Sequence, residues 1–419
     1  MNKKSLKLNY YDITSDLCKI RKKCDTCILS ETSNGQASNY KDCYPYTLFY
    51  DGLFANNKND NLTIAEFGIS HGASLLMWKE YFKNAEIYGF EYNNNFIDNF
   101  KEKFNNDRIT LANIEANDAN SIENAFSKSN TLYDIIVEGN IHKFEDQIKV
   151  IENVYQYLKP GGILIIEDIF KSYNEKWYLN RLIPILNNFQ DYYFIEIDYS
   201  SKNNTEKGND KLLVLIKNGG PPIFKNTNKI TIITPSYRIE NLLKVKNTIN
   251  FNYVEEWIIV YDGSKIFDNP KLFENQENNK IKEYVYLGVG SSGNPQRNYA
   301  LTKLANPNTS IYYLDDDNVI NPNIYSLLNI MEKNKMYTFN QYNPTSPYSE
   351  KNILKGNNIC VRHIDTAMVI IPYNWCNNIT WIPDDYFADG YYIQDCYANN
   401  KNNHIFVDAE LCYYNSMCA

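Results

Sequence analysis

Ile311-Tyr312-Tyr313-Leu314-Asp315-Asp316-Asp317-Asn318 is the most informative stretch of this chain. Four apolar or aromatic, β-prone residues run without a break into three carboxylates. That pattern predicts a buried strand whose end delivers acids to a cleft. Burying three carboxylates beside an apolar run is costly unless a cation neutralises them, and a divalent ion holding a diphosphate would do so. The same residues also fit a strand followed by a solvated acidic turn, because Asp is a common turn residue.

Working outward, 419 residues suggest roughly two to three domains. A hydrophobic content of 43% with 22% charged residues is ordinary for a water-soluble globular chain. The 36 tyrosines and the heavy use of Asn, Ile and Lys reflect coding bias and point to no activity. A net charge of -8, with no basic stripe, argues against a nucleic-acid partner. No apolar run follows Met1-Asn2-Lys3-Lys4, and no stretch of about 18 apolar residues suggests a membrane span. A cytoplasmic location with mostly reduced cysteines is therefore expected. Cys18, Cys24, Cys27 and Cys43 include one C-x-x-C pair, but zinc would want a second tight pair.

From Leu62 to Ile216, strand-like runs alternate with helical patterns, as in an α/β sheet. Lys217-Asn218-Gly219-Gly220-Pro221-Pro222 breaks that pattern. Alternation restarts at Ile230-Thr231-Ile232-Ile233 and continues to about Tyr414. The expected organisation is two α/β domains, residues 1–219 and 226–419. The Asn/Lys-rich islands at residues 56–61, 202–210 and 399–403 read as surface loops.

In the first half, Leu62–Phe67 reads as a strand, followed by Gly68-Ile69-Ser70-His71-Gly72-Ala73-Ser74 and a helix. Glycines at such a turn let the backbone approach a ligand. About 20 residues on, the strand Ile87-Tyr88-Gly89-Phe90 ends in Glu91, placed to accept hydrogen bonds from a ribose. These segments, with Tyr133-Asp134-Ile135-Ile136-Val137-Glu138 and Leu158–Asp168, resemble class I S-adenosylmethionine-dependent sugar O-methyltransferases of the macrocin/mycinamicin type. The resemblance spans about Tyr44 to Tyr173 and implies a Rossmann-like sheet. It implies cofactor contacts at Glu66, Gly68, Gly72 and Ser74, ribose binding by Glu91, and adenine-side placement of Glu115. It further implies a divalent ion (Mg²⁺ or Mn²⁺) at Glu138, Glu167 and Asp168, with His142 as base. Gly139 stands where the family has a second acid. An imidazole titrating near neutrality suits removal of a hydroxyl proton. Alone, His142 also fits a surface histidine at a helix start, and Glu167-Asp168 a helix N-cap region. Tyr193–Ile197 and Leu212–Ile216 are expected to close the sheet as an antiparallel pair.

In the second half, Ile230–Ile233 leads to Thr234-Pro235-Ser236-Tyr237-Arg238, Trp257–Tyr261 to Asp262-Gly263-Ser264, and Tyr284–Leu287 to Gly288-Val289-Gly290-Ser291-Ser292-Gly293. The last run spells G-x-G-x-x-G, but the helix is expected later, over Gln296–Leu304, which argues against a dinucleotide turn. Arg297 could fork onto phosphate or stand as a surface arginine. With Gln296-Arg297-Asn298-Tyr299-Ala300-Leu301 and Tyr313–Asn318, these segments resemble GT-A-fold glycosyltransferases, nearest the glucuronyltransferase-like inverting family, over about Ile230 to Asn321. The resemblance implies a nucleotide-sugar donor, UDP-sugar favoured, and a glycan or sugar acceptor. It places Thr234, Tyr237, Arg238, Asp262, Arg297, Asp315 and Asp316 on the donor and Asp317 on Mn²⁺ or Mg²⁺. The resemblance implies a Glu as base at a helix start, and the segment Trp381–Asp395 contains no Glu. Of Asp384, Asp385, Asp389 and Asp395, Asp389 is the first choice as base and Asp395 the second, although Asp389 also fits a helix N-cap. Asp365 falls on the acceptor side, and His404 is a substitute for a late metal-binding His.

Together these features describe a two-domain enzyme of glycan synthesis, pairing sugar O-methylation with sugar transfer. Two alternatives stand beside it: a transferase with a non-catalytic methyltransferase-like domain, and a sugar nucleotidyltransferase. The second would want a glycine-rich, basic loop after the first strand, which Thr234–Arg238 does not resemble. A non-catalytic carbohydrate-binding protein would leave the three aspartates unexplained. Homo-oligomerisation stays open.

Overall fold

The structure is a computed structural model that describes residues 5–9, 15–31, 46–104, 107–116, 118–129, 131–140, 142–197, 210–224, 228–265, 272–273, 279–288, 290–398 and 401–415. The chain forms two compact units, Met1–Ser5 with Tyr10–Asn226 and Leu6–Asn9 with Thr227–Ala419.

The first unit is built on seven strands: β1 (Thr63–Phe67), β2 (Glu86–Glu91), β3 (Ile109–Asn113), β4 (Tyr133–Glu138), β5 (Leu158–Ile169), β6 (Phe189–Ile197) and β7 (Lys211–Lys217). Pairing gives the order β3-β2-β1-β4-β5-β7-β6, parallel from β3 to β5, with β7 antiparallel to both β5 and β6. The closing antiparallel pair lies where the sequence suggested. Helices cover the sheet, so central strands such as Ile135-Ile136-Val137 and Ile163–Ile166 are buried on both sides and apolar throughout. Helix Phe144–Val154 turns Ile148, Ile151 and Val154 to this core, at helical spacing. Phe126 stacks on Phe67 and Phe90, with ring centroids 5.5 and 4.8 Å apart.

The second unit contains β8 (Ile230–Ser236), β9 (Val254–Asp262), β10 (Ile281–Tyr286), β11 (Ser310–Tyr313), β12 (Val319–Ile320), β13 (Met336–Tyr342), β14 (Ile353–Leu354), β15 (Val369–Pro372) and β16 (His404–Tyr413). Its main sheet runs β10-β9-β8-β11-β15-β13-β16, and the first four strands are parallel. β8 and β11 align Ile233 with Tyr313, so the segments that follow both strands emerge side by side. The helix after β10 covers Asn294–Leu301, not Gln296–Leu304. Gly293 caps it at φ +77°, and Pro295 occupies its first turn, where a missing N–H costs nothing.

The division differs from the expected 1–219 and 226–419 in two places. Residues 220–224 pack with the first unit because Ile223 N–H donates to Gly161 O (3.0 Å). Leu6–Asn9 adds a strand to the second unit, pairing Leu8 with Val407 and Asn9 with Phe406. Cys18 is disulfide-bonded, whereas Cys24, Cys360, Cys376, Cys396 and Cys412 are free. Cys43 and the side chain of Cys27 lie outside the described residues. No described helix is long and apolar enough to cross a membrane.

Gly161 has φ +77°, and a Cβ there would lie 1.9 Å from the Pro221 carbonyl oxygen. Gly161→Ala is expected to cost about 2–3 kcal/mol, from left-handed strain plus displaced backbone. Denaturant unfolding followed by circular dichroism checks this; an unchanged midpoint would refute the packing.

Candidate functional site

In the first unit, the turn after β1 is set by backbone geometry. Gly68, Ser70 and Gly72 all have positive φ (82°, 46° and 85°), and Gly72 caps helix Ala73–Tyr81. The bare Cα atoms serve packing: a Cβ on Gly68 would meet the Asn140 Cβ at 2.6 Å, and one on Gly72 the Phe100 ring at 2.2 Å. Glu91, at the end of β2, reaches back into this turn. Its Oε2 accepts from Ser70 N–H and its Oε1 from Asn93 N–H, both at 3.1 Å. Glu66 is buried, and burial pushes its carboxyl up to about 7, offset in part by Ser74, Arg21 and Trp78. Among the described residues its Oε2 has no hydrogen-bond partner. A carboxylate held at the turn and a buried carboxyl oxygen left without a protein donor among the described residues fit an adenosyl cofactor.

Beside this turn lies a cleft of about 570 Å³ lined by Tyr92, Glu115, Ala116, Asn140, His142, Lys143, Phe170 and Tyr173. Glu115 and His142 are thus in its wall, while Glu66, Gly68, Gly72, Ser74 and Glu91 are not among the residues lining it. His142 Nε2 lies 3.2 Å from Asp168 Oδ2. That hydrogen bond raises the histidine pKa above its ordinary value of 6.5.

The acids expected to hold a metal are otherwise engaged. A break in the β5–β7 register between Ile166 and Ile169 places Glu167 and Asp168 in a bulge, with Asp168 at φ 54°. Tyr46 OH donates to Asp168 Oδ1 (2.9 Å), and Tyr50 OH donates to Glu167 Oε1. Glu138 Oε1 accepts from Asn140 N–H at 3.0 Å. A Cβ on Gly139 would lie 2.8 Å from Glu167 Oε2, so a second acid there would require the Glu167 carboxylate to shift. Among the described residues, no group of three or more His, Cys, Asp or Glu could hold a metal ion. The residues present therefore do not fit the expected divalent site. Tyr46 and Tyr50 were missed in the sequence, where nothing distinguishes them from 34 other tyrosines.

In the second unit, Asp315, Asp316 and Asp317 line a larger cleft of about 900 Å³. Asp316 Oδ2 accepts from Ser236 Oγ, Tyr237 N–H and Arg238 N–H, at 2.9–3.0 Å. Arg238 Nη1 donates to both Asp316 Oδ1 and Asp317 Oδ2, each at 2.6 Å. Arg297, 3% exposed, donates to Asp315 Oδ1, to Ser292 O and to Asn294 Oδ1, and its guanidinium lies 4.8 Å from the Trp381 ring centre. Two arginines thus offset two of the three carboxylate charges, Arg238 at Asp316 and Asp317 and Arg297 at Asp315. Asp317 retains a pKa pushed up to about 6, first by burial and then by Asp315.

Tyr237 (47% exposed) lies in the wall between two cations, Arg238 at 4.4 Å and Lys265 at 4.3 Å from its ring centre. Asp262 lines the same wall. Thr234 does not: it is buried and accepts from Trp257 Nε1 at 2.9 Å, because its strand position points it into the core. Asp389 lines the cleft on the first turn of helix Ala388–Ala398, and burial pushes its carboxyl up to about 7, with Asp365 adding to the rise. Asp395 is exposed and not among the lining residues, because six positions along the helix turn it away. Asp384 is exposed, and Asp385 accepts from Phe387 N–H at 2.7 Å. Asp365 lines the cleft and caps the turn Thr366–Met368. His404 is absent from the lining; it pairs with Thr338 Oγ1 at 2.8 Å, and burial lowers its pKa to about 4. Tyr414 lines the cleft instead. Lys265, Arg362, Tyr348 and Tyr386 also line it and carried no motif to mark them.

Residues 62–217 match a family model described as a methyltransferase domain. The chain is similar to demethylmacrocin O-methyltransferase of Streptomyces fradiae, 26% identical over 135 residues, covering 30% of this chain and 32% of that protein. It is also similar to mycinamicin VI 2''-O-methyltransferase of Micromonospora griseorubida, 24% identical over 137 residues, covering 30% and 32%. The chain thus spans about a third of the length of these curated relatives. A solved structure of MycE methyltransferase from the mycinamycin pathway, in complex with Mg, SAH and mycinamycin VI, aligns with 50% of this chain and 57% of its own, at 18% identity and a TM-score of 0.35. Residues 62–217 are therefore a methyltransferase domain of Rossmann-like fold that resembles sugar O-methyltransferases.

Arg238→Met would leave Asp316 and Asp317 buried without a countercharge. A loss of about 3 kcal/mol is expected in unfolding of the full chain, against under 1 kcal/mol for exposed Asp384→Ala. Equal effects of the two substitutions would refute the assignment of Arg238 as the internal cation.

Proposed function

We propose that the first unit methylates a sugar hydroxyl using S-adenosylmethionine. The single observation behind this reading is the His142–Asp168 pair in the wall of the cleft, within a matched methyltransferase domain. The named relatives are O-methyltransferases of sugar-bearing compounds, which favours a sugar acceptor here. The cofactor supplies a methyl group on a sulfonium. The chain's own work is to hold it, by Glu91 at the ribose and Glu66 at its polar end, and to take the acceptor's proton on His142. Asp168 then stabilises the imidazolium that forms. Glu138, Glu167 and Asp168 accept from Asn140 N–H, Tyr50 OH and Tyr46 OH, so this acid–base work rests on the protein's own groups. Gly139 favours a second reading, in which this unit binds the cofactor without catalysis.

For the second unit we propose transfer of a sugar from a nucleotide donor, UDP-sugar first, to a sugar acceptor. What supports this is the convergence of Tyr237, Asp262, Arg297 and Asp315–Asp317 on one cleft that also contains Asp389. The base stacks at Tyr237. Asp389 takes the acceptor hydroxyl's proton, a new bond forms to the donor's anomeric carbon, and the bond from that carbon to the nucleoside diphosphate breaks as the diphosphate departs. A divalent ion at Asp317 would share its carboxylate with Arg238, which holds Oδ2.

Two measurements test these readings. Calorimetric titration should show saturable S-adenosylmethionine binding that Glu91→Ala weakens about tenfold or more, since a hydrogen bond to a charged group contributes about 1.5–3 kcal/mol. No binding by the unsubstituted chain would dismiss the first reading. Release of UDP from UDP-glucose, UDP-galactose or UDP-glucuronate should fall about a hundredfold in Asp389→Asn. It should also decline as pH drops below about 7, where Asp389, facing Asp365, Asp315 and Arg297, becomes protonated and cannot accept a proton. Turnover that ignores both changes would remove Asp389 from the mechanism.

A further inference from the structure

Arg362 stands apart from the other cations of the larger cleft. Arg238 is spent on Asp316 and Asp317, Arg297 on Asp315, and Lys265 lies 3.6 Å from Asp262. Arg362 is exposed in the cleft wall and, among the described residues, makes no hydrogen bond or ion pair; its guanidinium rests 4.5 Å from the Phe387 ring centre. Its backbone is left-handed, at φ 73°, a conformation that costs an ordinary side chain energy and persists where packing enforces it. The packing is visible. Gly390 presents its bare Cα to this turn, where a Cβ would lie 2.6 Å from Val361 Cα and 3.4 Å from Arg362 N. The turn therefore backs onto the first turn of helix Ala388–Ala398, next to Asp389. Two exposed aromatic rings share this wall, Tyr386 (74%) and Tyr348 (40%), the latter 4.3 Å from the His363 ring.

We propose that Arg362 is an oxyanion subsite on the acceptor side of the cleft, and that the second unit takes an acidic sugar, one bearing a carboxylate or a phosphate. This rests on the transferase reading for its placement next to Asp389. Phe387 holds the guanidinium from behind, which leaves its N–H edge for a planar, bidentate contact with an oxyanion. Tyr386 and Tyr348 supply apolar faces for the sugar ring, as amphipathic aromatics do where one side of a ligand is apolar and the other wet. The anion is read by one residue and the ring by two others, so charge preference and general sugar affinity are separable.

The test is calorimetric titration of the full chain with methyl β-D-glucuronide, glucose 6-phosphate and methyl β-D-glucoside, each with and without saturating UDP. The acidic sugars should bind roughly tenfold more tightly than the glucoside, the size expected of a charge-assisted pair. Arg362→Gln should abolish that preference, Arg362→Lys should keep part of it, and Tyr386→Ala should weaken all three ligands alike. The glucuronide and phosphate arms show which oxyanion is preferred. Equal affinity for the neutral and acidic sugars, or a preference that survives Arg362→Gln in a protein with unchanged thermal unfolding, would overturn the inference. If UDP fails to bind while the Arg362-dependent preference remains, the transferase reading falls and the anion subsite stands. If UDP binds and the preference is absent, the reverse holds.

Discussion

The second unit depends on one guanidinium nitrogen, Arg238 Nη1, which donates to Asp316 and Asp317 at once. Three consecutive carboxylates at the end of a buried strand repel each other and lose hydration; without a countercharge the strand end would not stay buried. The cation comes from the neighbouring strand. Because β8 and β11 run parallel with Ile233 beside Tyr313, the residues that follow each strand meet, and Ser236-Tyr237-Arg238 wraps Asp316 with a hydroxyl, two backbone N–H groups and the guanidinium. Arg297 does the same for Asp315 from the first turns of helix Asn294–Leu301. The acidic cleft is thus preorganised by the protein's own charges, and any ligand cation competes with them.

The first unit solves a related problem differently. Glu167 and Asp168 sit in a bulge and are met by neutral tyrosine hydroxyls and one histidine, not by arginine. Burial beside these acids raises the pKa of both Tyr46 and Tyr50, so the phenols stay protonated and act as donors. Asp168 therefore orients the His142 ring while remaining anchored by Tyr46. The result is an acid–base pair fixed by hydrogen bonds at the edge of the cleft, where the sequence pattern alone would have put a metal.

Much of this was legible in the sequence because it depends on local pattern. Continuous β-branched runs between helical segments predicted strands such as Tyr133–Glu138, since a parallel sheet covered on both faces needs apolar residues at every position. The positive-φ glycines marked the turn after β1, and Asp315–Asp317 marked the second cleft. The placement of Asp389 ahead of Asp395 followed from its position at a helix start. The glycines' neighbours were not legible: Gly68 and Gly72 spare Asn140 and Phe100, contacts between residues 28 or more positions apart.

Which segments become strands and helices, and which strand ends bear carboxylates, follows from side-chain periodicity and backbone preference and could be read from residue order. The tertiary structure decided what those carboxylates touch. Parallel registers and a bulge brought Arg238 to Asp316 and Asp317 across 78 and 79 residues, and Tyr46 and His142 to Asp168 across 122 and 26. A charged group's partner is chosen by distance in space, and at such separations that distance is fixed only when the sheets are assembled.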